Sequence, residues 1–183
     1  MINKYENNNE NIPIINQTIN NNQTITNNNT INNNQTINNI TINFGKENID
    51  LLTENEKLHI LSNGFFSIIE RIKLVHSNDR LPQQINAYLN NIKSKFAYKY
   101  NNDKFELTEL QELLKTIFDN STEDIRNLYD RYKNKLTAMK IKGLQNLFLA
   151  LDDDDDKIFR ENKDKILVIL YNNRDKINKL LDS

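Results

Sequence analysis

Residues 65–105 carry seven bases, Arg71, Lys73, Arg80, Lys93, Lys95, Lys99 and Lys104, against three acids, Glu70, Asp79 and Asp103. Phe96, Tyr98 and Tyr100 stand among the last four of those bases. Lysines that neutralise phosphates beside such aromatic rings would make a nucleic-acid-contacting hairpin, with Lys93, Lys95, Lys99 and Lys104 as its contacts. The same alternation describes a sheet whose core face is Phe96, Tyr98 and Tyr100 and whose lysines are solvated. His59 and His76 fall on different expected helices, and no Ser, Asp or Glu spacing around them outlines a triad or a metal site, so both are read as surface or boundary residues. Asp152–Asp156 could hold a cation only if its acids were spaced around a central glycine, as in a calcium loop; five consecutive acids instead suit the positive end of a helix. The chain has three glycines, far apart, so no phosphate-binding loop is present. No catalytic residue, cofactor or metal is expected, and the protein is read as non-enzymatic.

The composition narrows the classes further. Lys plus Arg is 24 and Asp plus Glu is 25 in 183 residues, a net charge of −1 that excludes the gross basicity of a general polyanion binder. Without cysteine there is neither a disulfide framework nor a thiolate metal site. The longest apolar run, Ile166 to Tyr171, is far short of the roughly 20 residues of a membrane span. The polar start Met1-Ile2-Asn3-Lys4-Tyr5 lacks a signal-peptide core. A soluble, intracellular protein that is not secreted is expected.

Two chemically different polymers meet near residue 44. Asparagine supplies 35 residues, 19 of them within the first 50. From Asn16 the arm repeats every six residues as Asn-Gln-Thr-Ile or a close variant. Six is even, so on an extended strand Ile19, Ile25, Ile31 and Ile37 share one face while Thr18, Thr24, Thr30 and Thr36 share the other. Two states fit: a disordered low-complexity tether, or β-structure built by self-association of several chains, a trimer for preference, through those four isoleucines. The Asn-x-Thr triplets of the arm are by-products of its repeat.

The expected body, residues 44–183, is α+β, mostly helical with a small antiparallel hairpin or sheet. Within it, 44–118 reads as helix, helix, hairpin and helix, and 119–183 as further helices; residues 1–43 are the arm. Thr53-Glu54-Asn55-Glu56 is a capping box opening a helix to about Asn63. A second helix covers about Phe66 to His76, burying Ile68, Ile69, Ile72 and Val75. Ile85, Ala87 and Leu89 alternate, and Phe96–Tyr100 and Lys104–Leu107 flank a turn at Asn101-Asn102-Asp103. Thr108–Gln111 is a second capping box before Leu110, Leu113, Leu114, Ile117 and Phe118. Helical spacing continues through Ile125–Met139 and Leu144–Leu151 with Gly143 as a joint, and a last helix from Lys157 to Tyr171 ends where Asn172-Asn173 could break it.

Three stretches, Ile42-Asn43-Phe44-Gly45-Lys46-Glu47-Asn48-Ile49 running on to Leu52-Thr53, then Ile92-Lys93-Ser94-Lys95-Phe96-Ala97-Tyr98-Lys99-Tyr100, and Ile169-Leu170-Tyr171-Asn172-Asn173-Arg174, resemble a module of nucleocytoplasmic giant DNA viruses. The resemblance covers most of residues 35–175. It implies a viral protein acting in the infected cell, in its cytoplasm or viral factory, or in the virion. Such relatives often carry a Cys/His zinc finger and a coiled coil; with no cysteine here, a zinc-dependent nucleic-acid role does not carry over, and the resemblance supplies no catalytic residue. The expected function is therefore a structural, assembly or protein-interaction role, self-associating through Ile19, Ile25, Ile31 and Ile37, with a protein partner as a further candidate. The alternative is a nucleic-acid-associated module using residues 93–105.

Overall fold

The structure is a computed structural model that describes residues 41–181. The hexad arm, with Ile19, Ile25, Ile31 and Ile37, lies outside the described residues. The body is α+β and mostly helical, with one small antiparallel sheet, as expected.

Residues 41–52 form a strap that leads into helix α1 (Glu54–Leu61). Thr53 closes the capping box there: its hydroxyl accepts the Glu56 N–H at 3.2 Å and its own N–H reaches Glu56 Oε2 at 2.7 Å. A 3₁₀ turn at Gly64–Phe66 passes the chain to α2 (Ser67–His76). Gly64 takes φ +53°, a left-handed conformation that glycine reaches without Cβ strain. Ile68, Ile69, Ile72 and Val75 are all buried, as their spacing of three and four predicts.

The sheet is a meander, β1 (Ala87–Tyr88), β2 (Phe96–Asn101) and β3 (Lys104–Glu109), in that spatial order. Asn102 and Asp103 make a two-residue turn with φ of 48° and 64°, the paired left-handed conformations that suit the twist of a tight hairpin. Ile85, Ala87 and Leu89 are buried as their alternation requires, although only Ala87 and Tyr88 pair as strand.

Helix α3 (Leu110–Tyr132) follows β3 directly. Here one expectation fails. Thr108 pairs with Ala97 in the ladder, so it is unable to cap, and Glu109 occupies the cap position without a side-chain bond. Leu110 N–H is instead satisfied by Lys95 O at 2.9 Å. Leu110, Leu113, Leu114, Ile117, Phe118, Ile125 and Leu128 form the buried stripe.

Helix α4 (Ala138–Leu181) follows a short turn at Lys133–Lys135, so the joint lies there and not at Gly143, which sits inside the helix against Gly64. At Asp154 the backbone leaves helical geometry (φ −154°, ψ 83°), and its carboxylate accepts the Lys157 N–H at 2.8 Å. Asp154, Asp155 and Asp156 therefore start the second half of α4, as their charge predicts, while Asp152 and Asp153 end the first half. Arg126 to Asp152 at 2.6 Å and Lys115 to Asp155 at 2.9 Å tie that break to α3. Asn172 and Asn173 do not end the helix. Asn173 is buried and donates from Nδ2 to His76 O at 2.7 Å and Ala87 O at 3.2 Å, linking α4, α2 and β1. Asn173→Ala leaves both carbonyls without that donor, and urea unfolding is expected to show a loss of about 2 kcal/mol.

One continuous core joins these elements, running from Ile60, Ile68 and Ile72 through Leu114 and Ile117 to Leu144, Leu147, Ile166 and Leu170.

Candidate functional site

The ladder fixes which side chains share each face of the sheet. Tyr88 lies opposite Tyr98, Tyr98 opposite Leu107, Tyr100 opposite Phe105 and Phe96 opposite Glu109. These residues line the face turned away from the core. Ala87, Ala97 and Lys99 line the other, where both alanines are fully buried. The reading that made Phe96, Tyr98 and Tyr100 the core face is overturned: small Ala97 faces the core, and the aromatics form the outward face. The helices close on the sheet at the alanines, where larger side chains would hold them off.

The outward face is an ordered aromatic cluster. Tyr88 and Tyr98 stack with centroids 4.9 Å apart and planes 12° apart, and Phe105 meets Tyr88 and Tyr100 edge-on at 5.2 and 5.3 Å. Phe96 and Leu107 extend it and are 47% and 58% exposed.

The four lysines are not gathered around this face. Lys93 and Lys95 are exposed in the loop before β2. Lys99 is half-buried on the inner face, between Ala87 and Glu106 in the ladder. Lys104 stands at the opposite end of the hairpin, 3.5 Å from Glu106. Asp103 and Glu109 are also exposed, and Glu106 lies opposite Lys99 on the inner face, so the four lysines are spread over the loop, the inner face and the turn end and interspersed with three acids.

A second polar assembly lies under the strap, where the three motif stretches converge. Ile42 N–H donates to Gln83 O and Phe44 N–H to Tyr100 O, both at 2.8 Å, and Asn48 N–H donates to Gln84 Oε1 at 2.6 Å. Gly45, with φ +81°, turns the chain so that its N–H reaches the Glu47 carboxylate at 3.0 Å. Asn86 donates to Ile42 O and, at 2.7 Å, to Glu47 Oε1. Below it, the fully buried Arg71 donates to Asp124 Oδ2 from Nε at 2.9 Å and from Nη2 at 2.5 Å, and from Nη1 to Ser121 Oγ at 3.2 Å. Arg71 Nη1 also lies 3.0 Å from His76 Nε2.

A guanidinium can only donate, so His76 Nε2 accepts and the ring proton sits on Nδ1. Nδ1 has no hydrogen-bond partner and lies 3.9 Å from Glu47 Oε1. His76 is thus a buried member of a charged cluster, which corrects its reading as a surface or boundary residue; His59 is largely exposed. Burial pushes the His76 pKa down, the Glu47 carboxylate pushes it up, the Arg71 guanidinium pushes it down again, and it settles at about 4. Burial pushes the Glu47 carboxyl up, but the facing His76 ring and the hydrogen bonds from Asn86 and Gly45 outweigh it and hold the carboxyl below its ordinary value.

Comparison with known proteins finds no matching family model, no similar curated protein and no similar solved structure. Among the described residues, no group of three or more His, Asp or Glu side chains is arranged to hold a metal ion. No described helix is long and apolar enough to cross a membrane.

Sequence reasoning set Arg71 on the polar face of its helix and read Asn173 as a breaker, whereas both are buried, and it gave Asn86 no role. Arg71 carried a signal: it falls three residues after Ile68 and four before Val75, on the apolar stripe of α2, where a base needs a buried partner. Asn86, between Ile85 and Ala87, carried none that separates it from an outward-facing strand residue.

Proposed function

We propose that the protein is a non-enzymatic assembly protein that self-associates, with two surfaces serving that role: the isoleucine face of the hexad arm, and the outward aromatic face of the sheet, which meets the same face of a second copy. The observation that carries this reading is the aromatic cluster of Tyr88, Tyr98, Tyr100 and Phe105 with its exposed extensions Phe96 and Leu107, unpartnered within the described residues. Exposed apolar surface gathered in one place marks contact sites. The rim decides the occupant. Lysines so spread and interspersed with Asp103, Glu106 and Glu109 neither strongly repel an identical face nor form a cationic track, whereas a strand-tracking site needs its cations along one path. Arm repeats that join chains raise the local concentration of the bodies, so a weak face contact suffices. The resemblance to the giant-virus module is the ground for placing such an assembly in an infected cell or a virion.

The test replaces the two most exposed apolar side chains of this face together, Phe96→Lys and Leu107→Lys, and follows the full chain by sedimentation velocity over a range of concentrations. The wild type is expected to shift to larger species with concentration and the variant to shift less, with far-ultraviolet circular dichroism unchanged. Identical behaviour contradicts the role of the face. Oligonucleotide binding that weakens steeply with salt, and is lost when Lys93, Lys95, Lys99 and Lys104 are replaced, transfers the reading to nucleic acid.

A further inference from the structure

The sheet has two edges, and α4 closes one of them. At β1, Asn173 Nδ2 donates to Ala87 O and Leu89 N–H donates to Leu170 O, both at 3.2 Å. The other edge is β3. Tyr100 N–H donates to Asn86 O and Tyr100 O accepts from Phe44 N–H, both at 2.8 Å, so both backbone groups of Tyr100 turn away from β3. Hydrogen-bonding sides alternate along a strand, so Ala97, Lys99 and Asn101 turn toward β3 and bond there to Thr108, Glu106 and Lys104. The N–H and C=O groups of Phe105 and Leu107 therefore point off the edge. Among the described residues none of these four groups has a backbone partner.

We propose that β3 pairs antiparallel with β3 of a second copy, Phe105 opposite Leu107, so that the two sheets become one. The pairing rests on the self-association proposed above and gives it a seam distinct from the aromatic face. An open edge is a template for another strand unless a proline, a bulge or a cover blocks it. β3 contains no proline, its register with β2 runs unbroken from Lys104 to Glu109, and Leu107 is 58% exposed.

The side chains select the strand. A two-fold axis at Glu106 pairs all four free backbone groups and sets Phe105 against Leu107 twice on the outward face. On the inner face it sets Lys104 against Thr108 twice and brings the two Glu106 carboxylates together. Each Glu106 already has its own Lys104 at 3.5 Å and Lys99 opposite it in the ladder, and the second copy's Lys104 arrives on the diagonal. Four lysines thus surround two acids. A strand from any protein would satisfy the backbone, but these neighbours ask for two outward apolar residues with an acid between them, which is the pattern Phe105-Glu106-Leu107 itself.

The full chain has no cysteine, so an introduced thiol reports a single position. Facing residues at a non-hydrogen-bonded position have Cα atoms about 4.5 Å apart, within reach of a disulfide. Glu106→Cys, oxidised with glutathione disulfide, is expected to form a linked dimer about tenfold faster than Lys93→Cys in the loop before β2, because pairing raises the local concentration of its thiol. In an equal mixture, Lys104→Cys and Thr108→Cys chains are expected to link to each other before either links to itself. Both results should persist alongside Phe96→Lys, which alters the aromatic face and not the seam. A Glu106→Cys chain that associates in sedimentation yet links no faster than Lys93→Cys overturns the seam and leaves the aromatic-face reading standing. Absence of any association overturns both. Should Glu106→Cys fail to fold, the mixed pair decides, and the lack of a preference between its two chains overturns the proposal.

Discussion

Asp124→Ala is expected to destabilise the body by about 3 kcal/mol, the low end of what is measured when one partner of a buried ion pair is removed. The Arg71 side chain is 2% exposed and that of Asp124 is 24% exposed. Without the carboxylate the guanidinium keeps only the Ser121 hydroxyl and the His76 ring nitrogen, neither of which carries a compensating charge near neutral pH. Water reaches the Asp124 side, which is why the low end applies. For a body of this size the loss corresponds to a fall in Tm of about 10 °C, read by calorimetry. The double replacement Arg71→Met with Asp124→Leu is expected to recover most of it, since an apolar pair of similar volume carries no desolvation penalty. A single variant that melts with the wild type would show that the pair contributes nothing to the fold.

Acid is the second strong lever. A histidine in the unfolded chain titrates at 6.5, and in the fold His76 is held at about 4, by burial first and then by the Arg71 guanidinium, against the opposing pull of Glu47. The folded value is the lower one, so as pH falls the unfolded chain takes up the proton first. Stability from this group is complete above pH 6.5 and is lost progressively down to about pH 4, a total of about 3 kcal/mol. Phe44 packs beside the ring with centroids 6.4 Å apart, and the Arg71 that faces it is itself bound by Asp124 and Ser121. Depressed carboxyls add to the slope only lower down: Glu56, where burial pushes up and Arg80 and Thr53 pull down, lies at about 2 against an ordinary 4.5. The interval from 6.5 to 5.5 lies above the titration of these carboxyls in the unfolded chain and therefore isolates the histidine. Urea midpoints measured across it are expected to fall for the wild type and to stay level for His76→Gln, whose amide oxygen can still accept from Arg71. A level wild-type curve would contradict the buried neutral ring.

Much of this architecture was legible because single periodicities dominate it. The stripe from Leu110 to Phe118, the capping box at Thr53 and the acidic start near Asp154 each follow from a local rule, and each holds. The rules fail where a residue has two employers. Thr108 is needed by the ladder opposite Ala97 and so is lost to the cap. Asn173 resembles a breaker in sequence, but a buried carbonyl pair, His76 O and Ala87 O, gives its amide a place inside the helix. The face of Phe96, Tyr98 and Tyr100 was fixed by parity, yet which face meets the core depended on how closely the helices approach, and alanine at 87 and 97 decided that. The strap motif was visible as a pattern, while its meaning, Glu47 held by Asn86 from 39 residues away, is a tertiary fact.

Self-association is tested most directly by the solution mass from light scattering, taken on the full chain and on a chain beginning at Thr41, which keeps the Ile42 contacts to Gln83 and Asn86. The full chain is expected to be trimeric or larger, the shortened chain to show only weak, concentration-dependent association, and the Phe96→Lys, Leu107→Lys replacement to remove that remainder. A full chain that stays monomeric at micromolar concentration would contradict the assembly role.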